Sequence, residues 1–190
     1  MDERFVLLVS QCRAAVTVKD RDGYCVSANR LAEELRGAGP GELVGRHITE
    51  LAGADPRLAE RQFQRFVREG AWVGQYPIRG ADGTLVTVRS YAFTHQEDGE
   101  AFYLNFDYPV GEHTRLAHDG PVPLEPPALS PEDVCLGQLY IDGHANEEVA
   151  VLLGVSPERV GILMGQLIEH TDTASRTGAC IRLLKAGLVV

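Results

Sequence analysis

The side chains of this chain that are able to do chemistry are scattered. Cys12, Cys25, Cys135 and Cys180 are widely spaced, with no C-x-x-C pair and no zinc-ligand set. There is no nucleophile elbow and no phosphate loop, since the glycine-rich Gly37-Ala38-Gly39-Pro40-Gly41 lacks the Lys-Ser/Thr that would have to follow. His113 and His118 fall in a proline-rich stretch unsuited to a rigid metal site, and His95 and Asp98 sit by a turn. No catalytic residue and no metal ligand is therefore expected, and the reading leans away from an enzyme. The chain does have a supply of aromatic side chains in extended segments: Trp72, Tyr76, Tyr91, Phe93, Phe102, Tyr103 and Phe106. These can line an apolar cavity or simply fill a core.

The elements that would position them read as follows. Ala15–Val18 and Tyr24–Val26 are strands joined at Asp20-Arg21-Asp22-Gly23, a hairpin signal. Asn29 caps a helix over Arg30–Leu35. A short amphipathic helix is expected over Glu42–Leu51 and a longer one over Leu58–Gly70, then strands over Ala71–Arg79, Thr84–Phe93 and Glu100–Tyr108. The C-terminal part is helical by pattern. Ser130-Pro131-Glu132-Asp133 starts one helix, Asn146 caps a second, Ser156-Pro157-Glu158 starts a third, and the last runs over Ser175–Lys185.

Six of the ten prolines lie between Pro109 and Pro131. This divides the 190 residues into 1–108, a Pro-rich linker 109–127 and a C-terminal unit 128–190. With 27 acidic against 18 basic residues the net charge is −9, which disfavours non-specific attraction to nucleic acid or an anionic membrane. Met1-Asp2-Glu3-Arg4 lacks a basic leader and no uncharged stretch reaches the ~18 residues of a membrane span. A cytoplasmic protein with reduced thiols is expected, with no membrane partner.

Three stretches carry a resemblance. DRDGYCVSANRLAEEL, the GELVGR of Gly41–Arg46 (similar to an "E-L-x-G" word) and GAWVGQYPIRGADGTLVTV over Gly70–Val88 (similar to "G-x-W-x-G … DG") occur in the order found in a PAS domain. The resemblance covers residues 10 to 108. It implies a five-stranded antiparallel sheet with helices on one face, acting as a sensor or dimerisation module. A PAS pocket can hold haem, flavin or a small metabolite. The reactive-cysteine word of the photoactive flavin domains is missing, so that chemistry is excluded, and the cofactor is left as unknown. The residues offered for a ligand pocket are Cys25, His47, Trp72, Tyr76, Tyr91, Phe93 and Tyr103.

The C-terminal unit resembles the LuxR/GerE-type DNA-binding domain over about sixty residues. Leu129-Ser130-Pro131-Glu132 is similar to "L-[ST]-P-R-E", Gly143–Ala150 to "G-x-[ST]-N-[KR]-E-I-A", Leu153-Gly154-Val155-Ser156 to "L-G-[IV]-S", and Ser175-Arg176-Thr177 with Ala179 to "S-R-x-x-A". The fold class implied for the whole chain is α+β: a PAS fold followed by an all-α four-helix helix-turn-helix domain. The resemblance assigns Arg159, Gln166 and His170 to the DNA, with Arg176 either near the DNA backbone or structural. The chain departs from the family in charge. Four basic residues face eight acidic ones in 128–190, Glu147 stands where Lys or Arg is usual, and Gly161 and Leu163 replace the usual Lys and His of the third helix. Phosphate neutralisation supplies most non-specific affinity, so each such loss weakens it.

Two functions remain open. One is a PAS–LuxR-type transcriptional regulator, a homodimer whose first domain takes a small molecule and controls how the second meets promoter DNA. The other keeps both folds without DNA binding, as a small-molecule-binding or protein-interaction module, with or without a catalytic PAS pocket.

Overall fold

The computed structural model describes residues 1–53, 55–80, 82–110 and 129–190. From residue 111 onward the expected linker lies outside them, as do His113 and His118. The chain separates into two compact units, Met1–Val110 and Gly111–Val190. Among the described residues no single helix is long and apolar enough to cross a membrane.

The first unit runs α1 (Glu3–Gln11), β1 (Ala15–Lys19), β2 (Cys25–Ala28), α2 (Arg30–Arg36), α3 (Ile48–Leu51), α4 (Pro56–Glu69), β3 (Ala71–Arg79), β4 (Leu85–Glu97) and β5 (Glu100–Pro109). The five strands form one antiparallel sheet in the order β2-β1-β5-β4-β3. The β1–β2 turn is built as its sequence dictates. The Asp20 carboxylate accepts from the N–H groups of Asp22 and Tyr24. Gly23 takes φ +88°, a conformation that side chains disfavour.

Asn29 ties three elements at once. Its Oδ1 accepts from Val16 N at 2.9 Å and caps α2 through Ala32 N at 3.0 Å. Its Nδ2 donates to the carbonyls of Val9 and Ala14 at 3.2 and 2.8 Å, holding the end of α1 against the start of β1.

Register is uninterrupted through β4 and β5, so alternation separates two sheet faces cleanly. On one face α4 lays Phe63 and Phe66 against Ala92 and Tyr103. On the other, Phe5 of α1 stacks on His95 with ring centroids 4.3 Å apart. The helix expected over Glu42–Leu51 is reduced to the four residues of α3. Gly41 and Gly45 adopt φ +79° and +82°, which break a helix. The segment instead pairs with β2, Gly45 N donating to Cys25 O and Cys25 N to Arg46 O.

The second unit packs α5 (Pro131–Ile141), α6 (Asn146–Leu153), α7 (Pro157–His170) and α8 (Arg176–Lys185) around Leu136, Leu139, Val149, Leu152, Val160, Leu167 and Leu183. Ser130, Ser156 and Ser175 cap α5, α7 and α8. The expected Asn146 cap is corrected: Ala145 occupies the cap position, with its N–H donating to Glu148 Oε2 at 3.0 Å. Asn146 instead accepts from the Tyr140 hydroxyl at 2.9 Å.

Replacing Asn29 by Ala leaves two buried carbonyls and two buried N–H groups without that partner. It is expected to cost about 2–4 kcal/mol in urea unfolding of the full chain. A loss below about 0.5 kcal/mol would mean that water replaces all four bonds.

Candidate functional site

The helix-facing side of the sheet carries polar groups in its middle. From β1 come Thr17 and Lys19, from β4 Ser90, from β5 Asn105 and Asp107, all buried, and from β3 Tyr76. Their order follows from pairing: Thr17 lies opposite Asn105, Ala15 opposite Asp107, and Ser90 opposite Asp107 on the other side.

The bonds among them are specific. Lys19 Nζ donates to Thr17 Oγ1 at 2.8 Å and to Asn105 Oδ1 at 2.9 Å. Asn105 Nδ2 donates to Ser90 Oγ at 3.2 Å. The Tyr76 hydroxyl donates to Asp107 Oδ1 at 2.9 Å, and Arg36 Nη2 reaches Asp107 Oδ2 at 3.4 Å, with side-chain exposures of 8% and 2%. Arg36 Nη1 also donates to Leu51 O at 2.9 Å, fixing the end of α2 to α3.

Electrostatics follow from this packing. Burial lowers the Lys19 ammonium to about 8, with Asp107 opposing the fall and Arg36 adding to it. Burial, and then the charge of Asp107, push the Tyr76 phenol up, so it remains a hydrogen-bond donor.

Above this cluster lies a cavity of about 100 Å³. Leu51, Phe63, Phe66 and Trp72 supply apolar walls, while Arg36, Tyr76 and Asn105 supply a polar end. A dry cavity of about 150 Å³ holds benzene, so this volume is on the scale of a small organic body.

Of the expected pocket residues, Trp72 and Tyr76 line this cavity and Tyr103 backs its wall, edge-on to Phe63 and Phe66. The others are elsewhere. Cys25 lies in a separate cluster with Ala15, Ala32, Leu43 and Leu51, its thiol pushed up by burial and donating to Ser27 O at 3.3 Å. His47 caps α3 and holds the neighbouring turn, its ring nitrogens 2.8 Å from Thr49 Oγ1 and 3.0 Å from Asp22 O. Tyr91 and Phe93 occupy the opposite sheet face, against Tyr108 and Phe106, because strand alternation points them there. Lys19, Arg36, Asn105 and Asp107 were missed. The available signal was polar residues at i, i+2 in apolar strands: Thr17 and Lys19 in β1, Asn105 and Asp107 in β5.

In the second unit, α6 and α7 meet at 101° across the three-residue turn Gly154-Val155-Ser156. Arg159 and Gln166, seven residues apart, share the exposed face of α7. Between them Gly161 and Gly165 are open, and Ile162 is 54% exposed. His170 and Arg176 are engaged within the unit. His170 Nδ1 lies 3.0 Å from Asp133 Oδ2. The Arg176 guanidinium sits 5.0 Å over the Tyr140 ring and reaches Asn146 Oδ1 at 3.3 Å.

A family model described as the PAS fold matches residues 9–112. Among solved structures, the chain is similar to the LOV protein of Rhodobacter sphaeroides at 16% identity and TM-score 0.58, covering 97% of this chain and 98% of that one. It also aligns with the VqmA dimer of Vibrio cholerae at 16% identity and TM-score 0.48, over 100% and 91% of the two chains. The PAS domain of an HTR-like protein from Haloarcula marismortui aligns at 23% identity and TM-score 0.48, over 56% and 94%. No curated protein matches the chain.

Lys19 makes stability depend on pH. Its native pKa lies below the unfolded value, so between about pH 8 and 10.5 the unfolded chain binds more protons and stability rises with pH. Relative to Lys19→Met, in which every other group cancels, the wild type should gain up to about 3 kcal/mol across that window. The measurement is urea unfolding of both proteins along a pH series. A constant difference would contradict the buried ammonium.

Proposed function

The chain belongs to the PAS-fold family over residues 9–112, and from that premise we propose that it is a one-chain PAS–LuxR-type transcriptional regulator. The PAS unit senses a small molecule, and the helix-turn-helix of the second unit meets promoter DNA. The observation that carries the DNA half is the α6–α7 geometry: 101° across a three-residue turn opening on Gly154. Helix-turn-helix motifs join their helices at about 90–120° with a short, often glycine-containing turn. Arg159 and Gln166 are the residues on α7 available to nucleic acid. His170 and Arg176 act by holding α7 and α8 to the rest of the unit. Ile181 and Leu184, 45% and 39% exposed on α8, support pairing of two copies. Two half-sites read together offset the weakness of each.

One observation favours a second reading. The exposed face of α7 presents Gly161, Ile162, Gly165 and Glu169 between and beside its two DNA-facing residues. A surface so poor in cations suits a protein-interaction module better than a polyanion.

Fluorescence anisotropy of the full chain on DNA flanking its own coding region, across a salt series, separates the two. The regulator reading expects selective binding over scrambled DNA. It also expects that Arg159→Ala weakens affinity and flattens the log–log salt slope by about 0.9, one phosphate contact. Binding no better than to scrambled DNA, with no change in Arg159→Ala, favours the interaction module.

A further inference from the structure

Resting on the sensor reading of the PAS unit, we propose that the cavity is a receptor site for a small organic monoanion. The ligand is a monocarboxylate whose apolar body is no larger than a benzene ring and whose charge is balanced by Arg36 on the cavity wall and by Lys19 behind Asn105.

The argument is one of charge balance. Two cationic side chains, Lys19 and Arg36, are buried with a single carboxylate, Asp107. With Lys19 protonated the cluster carries one uncompensated positive charge, and buried charges are stable only when paired. Among the described residues, the other charged or titratable groups near the cluster do not supply the missing anion. Cys25 on β2 is held as a thiol by burial, and Tyr76 on β3 donates to Asp107. Tyr103 is the register partner of Lys19 on β5, and its ring packs on Phe63 and Phe66. Glu33 of α2 accepts from Gly41 N. Asp55 lines the cavity and keeps its charge while capping α4, but it is exposed and water screens it.

Residue choice supports this. The chain has sixteen arginines and only two lysines, Lys19 and Lys185. Arginine does not release its proton in a protein, whereas a buried lysine does. Above about pH 8 a lysine at this position can shed the surplus charge, and a carboxylate bound nearby restores the proton.

The polar end of the cavity is where that carboxylate would sit. Arg36 and Asn105 both line the cavity, and Asn105 Oδ1 is bonded to Lys19 at 2.9 Å. Arg36 spends two of its five donors on Leu51 O and Asp107. The apolar walls of Leu51, Phe63, Phe66 and Trp72 fit a hydrocarbon body. A phosphate dianion would exceed the single surplus charge.

The test is calorimetric titration of the full chain with butanoate, 3-methylbutanoate and cyclopentanecarboxylate, each beside its primary amide. At about pH 7 at least one acid should bind more than tenfold tighter than its amide. Above about pH 8 acid affinity should fall by about tenfold per pH unit, with up to one proton taken up on binding. Lys19→Met should reduce the preference for acid and erase its pH dependence, since Arg36 remains at the cavity wall. Equal binding of acid and amide, an acid affinity flat from about pH 7 to about pH 9.5, or no acid binding below about 10 mM would overturn the proposal. The pH profile of the wild type decides even if Lys19→Met does not fold. DNA plays no part in these readings, so a chain that binds acids but no promoter refutes only the regulator reading.

Discussion

The first unit depends on a single buried carboxylate. Asp107, 2% exposed, receives the Tyr76 hydroxyl from β3 and the Arg36 guanidinium from α2, and its charge opposes the loss of the Lys19 proton on β1. Removing one member of a buried pair strands a charge and typically costs about 3–5 kcal/mol, whereas an apolar replacement of the whole set can be neutral. Such a cluster is therefore poor evidence for stability as an end in itself. Here it fixes the position of α2 and presents Arg36, Tyr76 and Asn105 at one end of a cavity walled by Leu51, Phe63, Phe66 and Trp72. The same charge balance underlies the carboxylate site proposed for this cavity.

Much of this architecture was readable from local chemistry. Asp20 and Gly23 specify their turn, and Asn29 specifies its cap, because a side chain bonding to nearby backbone needs little help from the rest of the chain. Glu42–Leu51 misled because its apolar spacing is helical while Gly41 and Gly45 sit at positive φ. Leu43 still reaches the core, but from a turn beside β2.

The pocket was only half legible for a different reason. β4 is buried on both faces, since α1 covers one and α4 the other. Its aromatic residues Tyr91 and Phe93 therefore have apolar neighbours on both faces, with no polarity contrast to tell which face holds the cavity. Trp72 and Tyr76 reach the cavity, and Tyr91 and Phe93 lie behind it. The more informative sign was the polar residue where an apolar strand should have none, at Lys19, Asn105 and Asp107. In the helical unit the caps and core were equally plain, while His170 and Arg176 carried ambiguous chemistry. A surface cation and a helix-to-helix tether use the same side chains, and only the contacts to Asp133, Tyr140 and Asn146 tell them apart.

With only two lysines in the chain, the central claim can be read directly. Side-chain NMR of protein labelled with ¹³C-lysine isolates Lys19, since Lys185→Arg removes the other lysine signal. The account predicts that one signal, assigned by Lys185→Arg, titrates at about 8 in the free protein. That midpoint should move upward when a carboxylate fills the cavity. A Lys19 signal that titrates near 10.5 and does not move with carboxylate would contradict it.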